Sequence, residues 1–295
     1  MPNAGSQLVL GTAQWGAAYG VTNARGALTD EDVAAIVELA IARGVSMVDT
    51  HRTTDPAHGY GRALSRLRPW ASDFRITTKV FGGPSADLPA RGQLEATLEE
   101  LGVPAVHACL VHDWWTLTDA EATVVAAALA EAVEQGLVTR IGVSAYDAAE
   151  LERVERVFGG LSAVQVPVSP LDQRLCGTAV VDRLAKVGVE IQVRSVFLQG
   201  LLLDPAADTP LGHHADVRAF HRFCEERGVD PLAACLSFTR SLPWAGPVVV
   251  GVTSAAELAQ IADGWAAEPI DADAHHHELL FANCLAQAEA LMRGR

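Results

Sequence analysis

An aspartate, a lysine and a histidine stand at corresponding places in three successive apolar runs of this chain. Val45 to Val48 runs into Asp49, Ile76-Thr77-Thr78 into Lys79, and Cys109-Leu110-Val111 into His112. A carboxylate at the end of a buried strand is costly unless a cation or donors meet it, so the lysine and histidine are its expected partners. Together the three supply acid–base chemistry: an amine whose pKa moves with burial, a carboxylate that holds it charged, and an imidazole that titrates near neutrality. A purely structural ion pair with a capping histidine would use the same residues. Lysine usage favours the chemical reading. Lys79 and Lys186 are the only lysines among 22 Lys and Arg residues. Where a bare positive charge would serve, this chain uses arginine, so an amine at a strand end points to a titrating role. The turn-rich segment after Asp49 adds His51, Arg52, Thr54, His58 and Tyr60 to the same strand end.

Positioning these groups requires repeated strand–helix units. The first strand, Gln7 to Ala13, exits into a loop with two aromatics, Trp15 and Tyr19, suited to a pocket mouth. Thr29-Asp30-Glu31-Asp32 caps a helix that Gly44 stops. Strand Ser46–Asp49 then leads to helix Gly61–Trp70, strand Arg75–Val80 to helix Arg91–Leu101, and strand Val106–His112 to the Ala-rich helix Asp119–Gln135. Thr139–Ser144, Ala163–Val168, Ile191–Val196 and Val248–Val252 continue the alternation, and an amphipathic helix closes the chain at 275–292. Short apolar strands, each followed by a helix, mean a parallel sheet covered by helices. Eight such units predict a (β/α)₈ TIM barrel, α/β in class, as one domain over residues 1–295. The site is then expected at the C-terminal ends of the strands, where Asp49, Lys79 and His112 fall.

Composition narrows the partners. A net charge of −14 argues against nucleic acid or an anionic membrane. No apolar run reaches the roughly 18 residues of a membrane helix, and Met1 to Gln7 lacks the features of a signal peptide. Five cysteines, Cys109, Cys176, Cys224, Cys235 and Cys284, with no C-x-x-C pair, read as reduced thiols in a cytoplasmic protein. His275-His276-His277 has no Cys or acid at zinc spacing and reads as a solvated helix start, and His213-His214, in a long loop, reads the same way, so no metal is expected. No G-x-G-x-x-G follows the first strand, and no G-x-S-x-G or Walker motif is present.

With these residues in place, the chain resembles the aldo-keto reductases nearly end to end. Leu10-Gly11-Thr12-Ala13-Gln14-Trp15-Gly16 is similar to the family's opening, Val48-Asp49-Thr50 to its D-T-A, and Thr78-Lys79-Val80 to its T-K-v. Leu110-Val111-His112, Ile141-Gly142-Val143-Ser144, Ala163-Val164-Gln165-Val166 and Arg194-Ser195-Val196-Phe197-Leu198-Gln199-Gly200 follow in family order, and Val249-Val250-Gly251-Val252-Thr253-Ser254 ends the series. The resemblance implies a catalytic tetrad in which a tyrosine protonates a carbonyl oxygen, a lysine paired to an aspartate tunes that phenol, and a histidine orients the carbonyl. Asp49, Lys79 and His112 match three members. The family's tyrosine falls five residues after the aspartate, where this chain has Thr54. Two registers follow. In the more economical one Thr54 replaces the phenol and one residue is deleted; in the other, six residues are inserted, the next helix is shortened, and Tyr60-Gly61 is the family's Y-G. Tyr19 is a further candidate for a relocated phenol. Threonine is a poor general acid, so ordinary aldehyde reduction is expected to be slow or absent unless Tyr60 or Tyr19 reaches the site.

The resemblance also implies a dinucleotide site. Ser144 and Gln165 would hold the nicotinamide carboxamide, with Ala145 in place of a usual Asn, and Arg194 stands where an aromatic often stacks on the ring. Ser195, Leu198 and Gly200 would line the phosphates, and Gly251, Thr253, Ser254 and Glu257 the adenosine. NAD(H) is expected over NADP(H), bound weakly or not at all. Between Arg240 and Arg293 there is no Lys or Arg for a 2′-phosphate, Glu257 would repel one, and Ile261 replaces an adenine-contacting Asn. Trp15, Tyr19, His51, Arg52 and Trp114 are the expected substrate-pocket residues; Trp114-Trp115 could form an apolar pocket wall, with core packing an equal explanation for one of the two. The function implied is an NAD(P)-linked oxidoreductase acting on a small carbonyl or alcohol. A non-redox lyase, cyclase or epimerase using Asp49, Lys79 and His112, and a non-catalytic binding protein, are the competing readings.

Overall fold

The computed structural model describes residues 7–53, 60–84 and 86–270. Among these, eight parallel strands close into a barrel in sequence order: β1 (Leu8–Gly11), β2 (Met47–Asp49), β3 (Arg75–Val80), β4 (Val106–Val111), β5 (Val138–Ser144), β6 (Ala163–Pro167), β7 (Glu190–Arg194) and β8 (Val248–Gly251). β8 returns to β1 with Leu10 opposite Val250 and Gly11 opposite Gly251. Around the barrel lie α1 (Asp30–Ala42), α2 (Ala63–Leu67), α3 (Ala90–Leu101), α4 (Asp119–Glu134), α5 (Ala148–Val157), α6 (Ala179–Lys186), α7 (Ala215–Arg227), α8 (Pro231–Arg240) and α9 (Ala255–Ala266).

Local chemistry sets these boundaries. Thr29 and Thr118 each form a reciprocal capping box, with Asp32 and Glu121, at the starts of α1 and α4. Gly102 and Gly228 end α3 and α7 in the left-handed region that favours glycine. The apolar core fills the layer between barrel and helices, where Cys109, Val111, Ile141, Val143 and Val193 face Leu94, Leu129 and Phe220 as part of one buried cluster. Inside the barrel the fill is partly polar: Asp49, Thr77, Lys79, Gln165 and Gln192 are all buried.

One expected element differs in form. The helix predicted over Gly61–Trp70 is α-helical only over Ala63–Leu67, then tightens into a 3-10 segment, Arg68–Asp73. Pro69 lacks the N–H that an α-helix would need there, and its ring crowds the preceding turn. The first strand is also shorter than expected, because Ala13–Trp15 turns into a 3-10 segment. The closing helix expected at 275–292, and Cys284, lie outside the described residues. Cys109, Cys176, Cys224 and Cys235 are free thiols, and among the described residues no helix is long and apolar enough to cross a membrane.

Gly142 shows how tightly the barrel closes. A Cβ there would sit 1.6 Å from the carbonyl oxygen of Ala163 on the neighbouring strand. Backbone cannot retreat from that contact without breaking the β5–β6 ladder. Gly142→Ala is therefore expected to destabilise the fold by about 3 kcal/mol or more, at the severe end of single substitutions, read as a drop in the denaturant midpoint. A shift near zero would mean that β5 and β6 are not paired in this register.

Candidate active site

Asp49 ends β2 and Lys79 stands one residue from the end of β3, so adjacent strands deliver both to the barrel mouth. The Lys79 ammonium donates to both carboxylate oxygens of Asp49, at 2.5 and 2.6 Å, with both residues no more than 4% exposed. Gln165, on β6, donates its amide to Asp49 Oδ1 at 2.8 Å from across the barrel. Burial pushes the Lys79 pKa below its usual range, Asp49 opposes that through charge and hydrogen bonding, and Arg194 adds to the lowering.

Tyr60 lies over this pair. The Lys79 Nζ is 5.8 Å from the centroid of its ring. Burial raises the Tyr60 phenol well above its ordinary value, and the negative charge of Asp49 adds to the rise. His51 packs on the Tyr60 ring with centroids 3.9 Å apart, and stacks on His112 at 5.4 Å. From there an aromatic arc continues around the mouth. His112 meets Trp115 edge-on at 6.2 Å, Trp115 meets Tyr146 at 5.2 Å, and the Arg194 guanidinium lies 4.4 Å from the Tyr146 centroid. All three tyrosines of the chain, Tyr19, Tyr60 and Tyr146, line this one cleft of about 980 Å³, and burial raises the Tyr19 phenol too. The exit loop of β3 forms the facing wall: Asp113 accepts from the N–H groups of Gly82 and Gly83, and the Gln93 side chain brackets both backbone groups of Phe81.

The cleft runs from this cluster to the start of α9, past Ser195, Gly200, Gly251, Thr253 and Glu257. Ser195, Leu198 and Gln199 adopt positive φ, as does Gly200. A side chain at Gly200 would strike Thr22 Oγ1 at 1.9 Å, so glycine lets the β1 and β7 loops meet along the cleft. These residues fit an elongated dinucleotide. At the end beside Asp49, Gln165 spends its amide nitrogen on Asp49 and Gln192, so its Oε1 and the Ser144 hydroxyl are the groups that would meet a nicotinamide carboxamide there. Arg194 stacks on Tyr146 while its guanidinium contacts Ser144 Oγ at 3.4 Å and Ser195 Oγ at 3.3 Å. At the far end, the Glu257 carboxylate accepts from the Thr253 N–H and hydroxyl, both at 2.7 Å, while Ser254 caps α9.

Several expected pocket residues are elsewhere. Trp15 is fully buried in the core, where the 3-10 turn of Ala13–Trp15 carries it under α2, and Arg66 donates to its carbonyl. Trp114 is likewise buried, sandwiched by Phe158 and Arg153, and its neighbour Trp115 is the one on the cleft. His51 sits behind Tyr60 with no surface exposed, and Leu198 belongs to the core. Arg52 lines the cleft in an ion pair with Asp87 at 2.6 Å. Thr54 and His58 lie outside the described residues. Phe81 and Tyr146 also line the cleft, though no motif marks them. Tyr146 follows Ser144 by two positions, a spacing that could have marked it.

The family profile described as the aldo/keto reductase family matches residues 7–277. Among solved structures, a Pseudomonas aeruginosa protein, PA4992, assigned to the aldo-keto reductases, is similar at 22% identity and a TM-score of 0.65, covering 88% of this chain and 90% of that one. The thermostable aldo-keto reductase Tm1743, solved with the inhibitor epalrestat, is similar at 20% identity and a TM-score of 0.68, over 92% of this chain and 93% of that one. Both likenesses concern the fold. A 30-residue segment is 70% identical to part of the glucose-6-phosphate isomerase of Beijerinckia indica subsp. indica, so the chain spans only 6% of that curated relative. The barrel and a profile match that runs through all eight strands lead to one assignment: the chain belongs to the aldo/keto reductase family.

Proposed function

We propose that this chain is an NAD(H)-linked oxidoreductase that interconverts a small carbonyl compound and its alcohol, with Tyr60 as the proton donor. The observation that carries this reading is the Tyr60 ring over a lysine locked on Asp49. It corresponds to the register in which Tyr60-Gly61 is the family's tyrosine–glycine pair, and the short α2 is in keeping with it.

A bound nicotinamide would supply or accept the hydride. In the reducing direction the carbonyl oxygen gains a proton from the Tyr60 hydroxyl, and the Lys79 ammonium, kept charged by Asp49, stabilises the phenolate left behind. His112 donates to the same oxygen and sets its direction. Solvent then returns a proton to Tyr60. The arc of His112, Trp115 and Tyr146 excludes water from the reacting carbonyl and favours substrates with an apolar body. The test is turnover of a panel of small aldehydes followed by NADH absorbance. NADH binding with no turnover across the panel would overturn the reading in favour of non-redox chemistry by Asp49, Lys79 and His112.

The cofactor preference rests on Glu257. Its carboxylate occupies both Thr253 donors at the adenosine end, and a 2′-phosphate there would meet a like charge and find those donors taken. Like charges in contact cost several kcal/mol, so NADH is expected to bind at least about tenfold tighter than NADPH, a difference of about 1.4 kcal/mol. Glu257→Gln should narrow the gap by weakening the repulsion. Calorimetric titration with both cofactors decides it, and tighter NADPH binding by the wild type would refute the assignment.

A further inference from the structure

Below the reactive cluster, a column of polar side chains runs through the barrel to its opposite end. Gln165 donates to Asp49 Oδ1 at 2.8 Å and to Gln192 Oε1 at 3.1 Å. Gln192 donates in turn to Thr77 Oγ1 at 3.0 Å and to Glu190 Oε1 at 2.8 Å. Glu190 is then held by His107 Nε2 at 3.0 Å, with the Arg140 Nε at 3.5 Å. The two glutamines are register partners on β6 and β7, and are 1% and 0% exposed.

The order of donors in this column is forced. Asp49 is a lysine-bound carboxylate and can only accept, so Gln165 must turn its amide nitrogen toward it. That nitrogen also serves Gln192, whose oxygen must therefore face Gln165 and whose nitrogen must face the second carboxylate, Glu190. Flipping either amide would set oxygen against oxygen in a buried space, where an unmade hydrogen bond costs most. Burial pushes the Glu190 pKa up, but hydrogen bonds from His107 and Gln192 and the charges of His107 and Arg140 outweigh it and hold the group below the usual range. Glu190 is thus a fixed acceptor at the foot of the column.

We infer that Gln192 is a positioning residue for the acid–base pair at the barrel mouth. By accepting from Gln165 it holds that amide on Asp49, and so fixes the carboxylate on which Lys79 is seated; Glu190, with His107 and Arg140, anchors the column. The inference rests on the proposed roles of Asp49 and Lys79. A side chain of similar length that cannot donate and accepts only weakly, Gln192→Met, should lower kcat roughly tenfold, within the range that a small misplacement of a catalytic group produces. Gln165→Met should cost at least as much, and the double variant no more than Gln165→Met alone, because Gln192 acts through Gln165.

A readout independent of turnover uses the scarcity of lysine. In protein labelled with ¹⁵N-lysine, without cofactor, the Lys79 ammonium is assigned by Lys186→Arg. It should give a slowly exchanging resonance in the wild type that broadens or is lost in Gln192→Met. Additive losses in the double variant, or an unchanged Lys79 resonance beside a merely lowered melting temperature, would overturn the inference. Should Gln192→Met fail to fold, Glu190→Gln removes the charge of the anchor and replaces one of its two acceptor oxygens by a donor amide, and the Lys79 resonance should again broaden or be lost; no change there would also overturn it. If the wild type reduces no carbonyl, the functional reading falls while the Lys79 resonance still decides the role of the column.

Discussion

Tyr60→Phe is expected to lower kcat for carbonyl reduction by about 10² to 10⁴, the usual cost of removing a general acid, while NADH affinity stays where it was. The substitution removes one oxygen and keeps the ring that packs on His51, so the loss measures proton donation rather than packing. Thr54→Ala should leave kcat little changed. Activity that survives Tyr60→Phe but falls in Thr54→Ala or Tyr19→Phe would move the acid elsewhere and restore the other register. The pH dependence has a definite sign. Because burial and Asp49 raise the Tyr60 phenol, it stays protonated up to and beyond the ordinary value of about 10, and reduction should show no loss of the acid below that pH. Above it, the folded state keeps a proton that the unfolded chain has released, so the Tyr60 contribution makes stability fall as pH climbs from about 10 through the raised value. Tyr60→Phe should remove that slope.

How much of this was legible in the sequence depended on whether a residue's direction was set locally. Asp49, Lys79 and His112 were readable because each ends an apolar run, and parallel strands bring their ends to one face whatever the loops do. Trp15 and Trp114 were not. As aromatics just past strand ends both suit a pocket wall, with core packing an equal expectation for one of Trp114 and Trp115, yet Trp15 and Trp114 each begin or end a 3-10 turn whose direction no periodicity announces, and the turn carries both into the core. Trp115, one residue further on, takes the place at the cleft. The α2 start misled for a related reason: its apolar spacing suggests a longer helix, and only Pro69 signals the tightening. The bond from Gln165 to Asp49 is not legible, because nothing in a linear sequence pairs it with a residue 116 positions away. Contacts across a closed barrel depend on register and closure together.

Lys79→Met should cost both activity and stability, and the two losses should separate on adding a second change. The substitution keeps the length of the side chain and removes the ammonium that both Asp49 oxygens accept from. Asp49 is then left buried with Gln165 as its remaining named donor. Breaking a buried pair from one side typically costs about 3 to 5 kcal/mol, and the denaturant midpoint should fall accordingly. Without the ammonium the phenolate of Tyr60 forms unassisted, so kcat should drop by about 10² to 10³, the scale seen when one preorganised electrostatic partner is lost. Adding Asp49→Asn removes the stranded carboxylate, and should recover most of the stability and none of the activity. Lys79→Arg should not rescue turnover, since the guanidinium fork is wider than an amine seated in a site 4% exposed. The pH signature is opposite to that of Tyr60. Burial depresses the Lys79 pKa, so between that lowered value and about 10.4 the unfolded chain binds the extra proton, and this term makes stability rise with pH. Lys79→Met should lose that rise. A Lys79→Met protein as stable as the wild type, or a double variant that regains turnover, would mean that the Asp49–Lys79 pair is not what the reaction runs on.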